Sequence, residues 1–241
     1  MKLKKDITSK INFVLDNFVP PILRDCRAFM SPLMKLAFGK KAEIYMNFKD
    51  RLPYLTKEEI KQVYVSTADT IKRESDLTAK GLDYILNFLK VNKKSFNRIC
   101  DISCGRGFLT QKIAELGFET YGMDIYIGEN LTGGKNLKYV EADICNIPVS
   151  DNFFDCVICS KTLEHVLDLE IAIKELRRVC KKALIIVVPS QRPYRYTFDL
   201  HCNFFPYPSS LQQVMKNPQA QCFNISGGGG GILQRPIFRG I

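Results

Sequence analysis

The amino-acid sequence predicts an α/β protein: a doubly wound, mostly parallel sheet preceded by an N-terminal helical extension. Three observations carry this. From Arg98 onward, short apolar runs of strand length alternate with amphipathic stretches of helical spacing, the pattern of a parallel sheet covered on both faces. Before Arg98 the apolar residues recur at helical spacing instead, as at Leu82, Tyr84, Ile85, Phe88 and Leu89. A glycine-rich turn, Cys104-Gly105-Arg106-Gly107, closes the first of the apolar runs, where such a sheet turns from strand into helix.

Taken in order, residues 1–50 read as helices. Ile11, Phe13, Val14, Leu15 and Phe18 cluster before a break at Pro20-Pro21, and Ile22, Leu23, Phe29, Met30, Leu33, Met34, Leu36 and Phe38 follow it. Gly39 before Lys40-Lys41 suits a helix end. Thr56-Lys-Glu-Glu59 is a capping-box pattern that opens a second helical stretch, and a third runs from about 78 to 91. Strands are expected near 98–102, 118–123, 137–141, 154–159 and 182–188, with helices near 107–116 and 168–179 and a short one at 209–215. Residues 222–241 offer material for two more strands, but five consecutive glycines make a loop or an altered terminus the expectation. The division is therefore a helical extension or lid over 1–78 and a catalytic domain over 79–241.

Composition narrows the class. With 241 residues, 46% of them hydrophobic, the chain buries one full core. Apolar segments break after five or six residues, far short of the roughly 20 needed to span a bilayer. The basic start, MKLKKDITSK, is not followed by the apolar region and cleavage site of a secretory signal. Nine cysteines form an odd set, and Cys100, Cys104, Cys156 and Cys159 fall in strands or at the turn, so they read as buried thiols of a cytoplasmic protein. Each of those pairs straddles a strand and its exit, unlike a zinc knuckle, and no metal is expected. The net charge of +10 is lopsided: residues 1–100 hold 20 Lys+Arg against 11 Asp+Glu, the remainder 15 against 14. Such asymmetry suits nucleic acid, an anionic membrane surface or a phosphorylated substrate, and equally a solvated lysine-rich face.

The chemistry concentrates after the first strand. Arg98-Ile-Cys-Asp101-Ile-Ser-Cys-Gly105-Arg-Gly107 places an acid at the strand's end and residues without a Cβ at the turn, which permits both the backbone dihedrals and the close approach of a ligand. Tyr121-Gly-Met-Asp124 then ends the second strand in a carboxylate, 19 residues beyond Gly105, where a ribose diol is held. A dinucleotide site also wants that acid, but it asks for Gly or Ala where Thr110 stands, and it has no need of Asp101.

These residues resemble the first motifs of the class I S-adenosylmethionine-dependent methyltransferases, of the type 11 and type 23 kind, with a Rossmann-like core. Further matches follow in order: Val140-Glu-Ala-Asp143-Ile144, Asp151-Asn-Phe-Phe-Asp155-Cys-Val-Ile-Cys-Ser160, the loop Lys161 to Val166, and the helix and fifth strand up to Pro189. The family's usual Pro-Gly-Gly turn is here Cys180-Lys181-Lys182. The resemblance covers about residues 79–205. It implies S-adenosylmethionine as cofactor and a contact set of Asp101, Ser103, Cys104, Gly105, Gly107, Asp124, Ile125, Asp143, Ile144 and Ser160. Within that set Asp101 serves the methionine amino group, Asp143 the adenine amine and the Ile144 amide the ring.

Only two histidines exist. His165 follows the fourth strand, which the resemblance places beside the transferred methyl; His201 lies beyond the fifth, where relatives shape the acceptor pocket. Either suits a general base, and each has a structural reading as well. Tyr194, Arg195 and Tyr196 are candidate substrate contacts, while Phe204 and Phe205 read as core. The expected function is O-methylation of a small molecule, sugar or phospho-compound of cell-surface biosynthesis. Two alternatives stand: an RNA or protein methyltransferase using the basic N-terminus, and a cofactor-binding protein without catalysis. The absence of an RNA-binding module and of the Asn-Pro-Pro-Tyr type of motif argues against nucleic acid. Expected partners are a small-molecule or saccharide substrate and a peripheral membrane contact through the basic N-terminus, with no transmembrane segment.

Overall fold

The computed structural model of the chain describes residues 5–67, 77–217, 220–225 and 231–234. The chain divides into two compact units, Met1–Arg73 with Gln191–Phe204, and Glu74–Ser190 with Phe205–Ile241. The segment after the fifth strand thus groups with the N-terminal helices, whereas the sequence placed it with the sheet.

In the helical unit, α1 (Lys5–Phe18) is followed by α2 (Pro21–Arg24), α3 (Arg27–Phe38), α4 (Ala42–Arg51) and α5 (Lys57–Thr67). Pro21 opens α2, where a missing amide donor costs nothing. Gly39, at φ +56°, ends α3. The capping box ahead of α5 closes reciprocally: Glu59 Oε2 accepts from the Thr56 amide at 2.8 Å, and Thr56 Oγ1 accepts from the Glu59 amide at 3.3 Å. Met30, Met34, Phe38, Tyr45 and Phe48 form the core together with Tyr196, Phe198 and Leu200. The Phe38 and Tyr45 rings stack at 3.8 Å.

The sheet unit opens with α6 (Ala79–Val91), whose N-cap Thr78 accepts from the Gly81 amide. Then come β1 (Arg98–Ile102), α7 (Phe108–Glu115), β2 (Glu119–Asp124), β3 (Leu137–Glu141), β4 (Phe154–Ser160), α8 (Leu169–Val179) and β5 (Cys180–Pro189). The unit closes with α9 (Pro208–Met215), β6 (Cys222–Asn224) and β7 (Gly231–Gln234). The strand order is β3-β2-β1-β4-β5-β7-β6; the first five are parallel, while β7 runs antiparallel to both β5 and β6. Alternation along the strands splits the core in two. Ile99, Cys156, Ile158 and Ile185 pack with Ile85, Leu89 and Ile113 of α6 and α7 on one face. Cys100, Val157, Cys159 and Ile186 pack with Ala172, Ile173 and Leu176 of α8 on the other.

Two details differ from expectation. The chain does form strands on either side of the glycine run, at β6 and β7, because an antiparallel partner for β5 needs backbone groups and no side chains; residues 226–230 and 235–241 lie outside the described residues. Where the family has Pro-Gly-Gly, α8 passes directly into β5. The two residues between Cys180 and Ala183 oppose the single residue between Phe154 and Cys156, a bulge that absorbs the lysine pair. Among the described residues no helix is long and apolar enough to cross a membrane.

Candidate active site

The order of the sheet reverses between β1 and β4, which opens a crevice at the carboxyl ends of these strands. Asp101 sits there, the fourth of the five residues of β1 and 1% exposed. Thr110 of α7 donates to its Oδ2 at 2.7 Å. Burial pushes the Asp101 carboxyl up to about 7; the Thr110 hydrogen bond opposes the rise and the negative charge of Asp124 adds to it. A carboxylate so poised gains most from a cation placed against it.

The turn that follows is wound left-handed at three places, Ser103 (φ +59°), Gly105 (+55°) and Gly107 (+72°). A Cβ on Gly107 would collide with Tyr139 Oη and stand 2.9 Å from Leu131 Cδ2, so space and dihedral both demand glycine. Gly105 differs: a Cβ there would meet nothing within 4 Å. Its backbone faces open space, as a turn must if a ligand is to lie upon it. The Cys104 amide donates to the Met123 carbonyl at 3.0 Å and the Gly105 amide to Asp124 Oδ2 at 2.8 Å, so the end of β2 clamps the turn. Asp124 also accepts from the Tyr126 amide, and Ile125 beside it is exposed.

The loop after β3 completes this edge. Asp143 is exposed and its Oδ1 accepts from the Cys145 amide at 2.8 Å; the Ile144 side chain is buried in the core, which leaves its backbone at the edge. Arg178 on α8 fixes the loop by donating to the Ile147 and Val149 carbonyls, at 2.8 and 2.7 Å, and pairing with Glu175 and Asp151. Ser160 ends β4 half-buried, its carbonyl accepting from Thr162 Oγ1. His165, also half-buried, closes the short helical turn Leu163–His165, its amide donating to the Thr162 carbonyl at 2.8 Å. The expected residues Asp101, Ser103, Cys104, Gly105, Gly107, Asp124, Ile125, Asp143 and Ile144 thus gather at the carboxyl ends of β1, β2 and β3, with Ser160 at that of β4.

The remaining candidates belong to the helical unit. His201 is 7% exposed; its Nδ1 donates to Gln191 Oε1, and Gln191 Nε2 in turn donates to Asp199 Oδ2 at 3.4 Å. Tyr194, Arg195 and Tyr196, the expected substrate contacts, lie in this unit as well. Tyr194 and Tyr196 are buried at 7% and 1%, and Arg195 pairs with Asp50 at 2.9 Å. Buried Arg24 holds this segment, donating to the Tyr196 carbonyl, pairing with Asp16 at 3.3 Å and lying 5.0 Å over the Tyr194 ring. Lys49 donates to the Tyr194 carbonyl and lies 4.2 Å over the Phe204 ring, and burial lowers it to about 8. Phe205 is buried in the sheet unit, as expected of a core residue.

Sequence reasoning missed two participants. Thr110 entered it only as a residue unsuited to a dinucleotide, yet its hydroxyl is what holds Asp101. Tyr139 packs where a Cβ would stand on both Gly107 and Gly122; a glycine inside β2 was the available signal of such a close approach.

A doubly wound sheet with an acid and a glycine turn closing β1, and a second acid clamping that turn from β2, defines a class I S-adenosylmethionine-dependent methyltransferase domain. Residues 100–188 match the family model described as a methyltransferase domain, and with it this part of the chain is assigned to that class. The C-methyltransferase UbiE of ubiquinone/menaquinone biosynthesis from Pseudomonas fluorescens (strain Pf0-1) is 27% identical over 162 residues, 59% of this chain and 62% of the relative. The 2-phytyl-1,4-naphtoquinone methyltransferase of Nostoc punctiforme is 28% identical over 182 residues, 67% of this chain and 79% of the relative. The chain therefore spans less than two thirds of the first of these relatives. Among solved structures, Burkholderia thailandensis 1,6-didemethyltoxoflavin-N1-methyltransferase, with bound 1,6-didemethyltoxoflavin and S-adenosylhomocysteine, shares the fold at a TM-score of 0.54 and 12% identity, covering 78% of this chain and 88% of that one. Human N-acetylserotonin methyltransferase in complex with SAM does so at 0.52 and 13%, covering 82% and 67%. The two sequence relatives are named for quinones. They lend no support to the cell-surface sugar or phospho-compound expected from sequence.

Proposed function

We propose that this protein methylates a small hydroxylated ring compound of the quinol kind, with S-adenosylmethionine as donor. The observation that carries the reading is the buried, cation-seeking Asp101 at the open glycine turn of a matched methyltransferase domain; the quinone relatives supply the acceptor class. When bound, the cofactor supplies an electrophilic methyl group on a sulfonium. In this reading Asp101 holds its amino group, Asp124 its ribose hydroxyls, and Asp143 with the Ile144 amide its adenine.

The protein's remaining task is to orient the acceptor and move one proton. A quinol ring carbon beside a hydroxyl becomes nucleophilic when that hydroxyl loses its proton, and a neutral histidine is the natural base. His165 and His201 are the two candidates. Atoms balance as follows: the base takes the hydroxyl proton, a carbon–methyl bond forms as the sulfur–methyl bond breaks, and the ring proton on that carbon then leaves to water while the oxygen regains a proton from the base, a net release of one proton.

The test is turnover of S-adenosylmethionine with a panel of reduced benzoquinols and naphthoquinols, alongside catechols and nucleotide sugars, read by mass spectrometry. A methyl gain on a quinol ring carbon is expected. Methylation of a sugar alone, or of no ring compound in the panel, would overturn the reading.

A further inference from the structure

The helical unit turns toward solvent a set of apolar side chains that its own core does not use. α3 is apolar on two sides. Met30, Met34, Ala37 and Phe38 are buried, while Phe29, Pro32 and Leu36, spaced three and four residues apart, are exposed, Leu36 at 77%. The passage from α1 into α2 adds a wedge, Phe18-Val19-Pro20-Pro21-Ile22-Leu23, six residues without a polar side chain. Phe18 is 73% exposed and Ile22 81%, and Phe18 meets Phe13 edge-on at 6.2 Å. Single apolar groups on a surface are ordinary, but a helix apolar on both sides next to an apolar wedge marks a surface that meets something apolar.

Charge and backbone chemistry say what. The helical unit, residues 1–73 with 191–204, holds 17 Lys+Arg against 9 Asp+Glu, +8 of the chain's +10. Lys35 and Lys40 are exposed on and just beyond α3. Two of the six wedge residues are prolines, which have no amide donor to leave unsatisfied on entering a medium poor in hydrogen bonds. A protein partner is ordinarily met through polar groups interleaved with apolar ones, and the wedge has none. Basic charge beside apolar side chains is the composition of an interfacial anchor on anionic lipid.

We propose that this face, centred on Phe18, Ile22, Phe29 and Leu36, docks on an anionic membrane surface: the apolar side chains enter the headgroup boundary and the lysines meet lipid phosphates. The proposal stands apart from the acceptor's identity, since it needs no turnover to be tested.

The chain contains no tryptophan, so a single introduced one reports alone. Phe18→Trp and Leu36→Trp place the reporter on the face, and Val91→Trp, at the end of α6 in the sheet unit, places it elsewhere. The probe is vesicles of phosphatidylcholine with about one quarter phosphatidylglycerol, against phosphatidylcholine alone. The emission of the Phe18→Trp and Leu36→Trp variants is expected to shift to the blue on the anionic vesicles only, the Val91→Trp variant to stay unmoved, and added salt to weaken the effect. In flotation, the wild-type chain is expected to bind, and Phe18→Asp with Ile22→Asp to lower the bound fraction at least about tenfold at unchanged circular dichroism. Equal binding of wild type and the double variant, no binding to anionic vesicles, or a concentration-dependent dimer that the aspartates break would each overturn it.

Discussion

Protonation of Asp101 should control how tightly the cofactor is held. Its carboxyl titrates near 7 because it is buried, and a bound ammonium favours only the ionised form. Taking 7 as the midpoint, about a tenth of the molecules carry the charge at pH 6 and about nine tenths at pH 8, so the dissociation constant for S-adenosylmethionine should fall roughly tenfold across that interval, about 1.4 kcal/mol. Binding below pH 7 should also release a proton. Titration calorimetry at pH 6, 7 and 8, in buffers of different ionisation enthalpy, measures both. Thr110→Val removes the bond that lowers the carboxyl, and should move the midpoint up by about one to two pH units. The same shift acts on the ligand-free fold with the opposite sign. The folded carboxyl lies above its ordinary 3.8, so the folded state binds more protons than the unfolded one, and this group's contribution to stability declines as pH rises from about 4 to about 7. A dissociation constant flat from pH 6 to 8, with Asp101→Asn binding like wild type, would refute the reasoning.

Three further outcomes are expected. Asp124→Ala should weaken S-adenosylhomocysteine binding by about 1.5 to 3 kcal/mol while the protein stays folded, read by calorimetry and circular dichroism; unchanged affinity would leave Asp124 as a clamp of the Gly105 turn alone. Gly107→Ala should lower stability by about 1 to 3 kcal/mol in urea, since it combines a left-handed dihedral with a collision at Tyr139, and Tyr139→Phe should restore part of the loss by removing the oxygen in the way. If His165 or His201 is the base, its Ala variant should lose roughly 10²- to 10⁴-fold in turnover while keeping cofactor affinity, and the wild-type rate should rise with pH through the histidine's titration; near-normal turnover in both variants would mean that positioning alone suffices.

The central parallel strands β1, β4 and β5 were legible because burial on both faces makes their sequences largely apolar, while the outer strand β3, Leu137–Glu141, is only half-buried and carries a shorter apolar signal. The acids and glycines were legible because a turn against a ligand restricts residue type. What escaped was whatever depends on distant packing. Nothing local to Tyr139 says that its ring fills the space left by Gly107 and Gly122. The stretch from Tyr194 to Phe205 has aromatic residues without a period, so its role in the helical core through Tyr196, Phe198 and Leu200 could not be read. β6 and β7 were obscured by glycines, whose low strand propensity was outweighed by an available edge at β5.

The helical unit is assembled from two pieces of chain, and this constrains the order in which the protein can fold as it leaves the ribosome. Residues up to 73 emerge first, but Tyr196, Phe198 and Leu200 complete their core, and the carbonyls that Arg24 and Lys49 bind lie at 196 and 194. Until those residues emerge, after all five parallel strands, the helices before the sheet carry an unfilled interior, and Arg24 and Lys49 lack the carbonyls of Tyr196 and Tyr194. These helices, which precede the sheet in the chain, are therefore completed only after the sheet's parallel strands have been made.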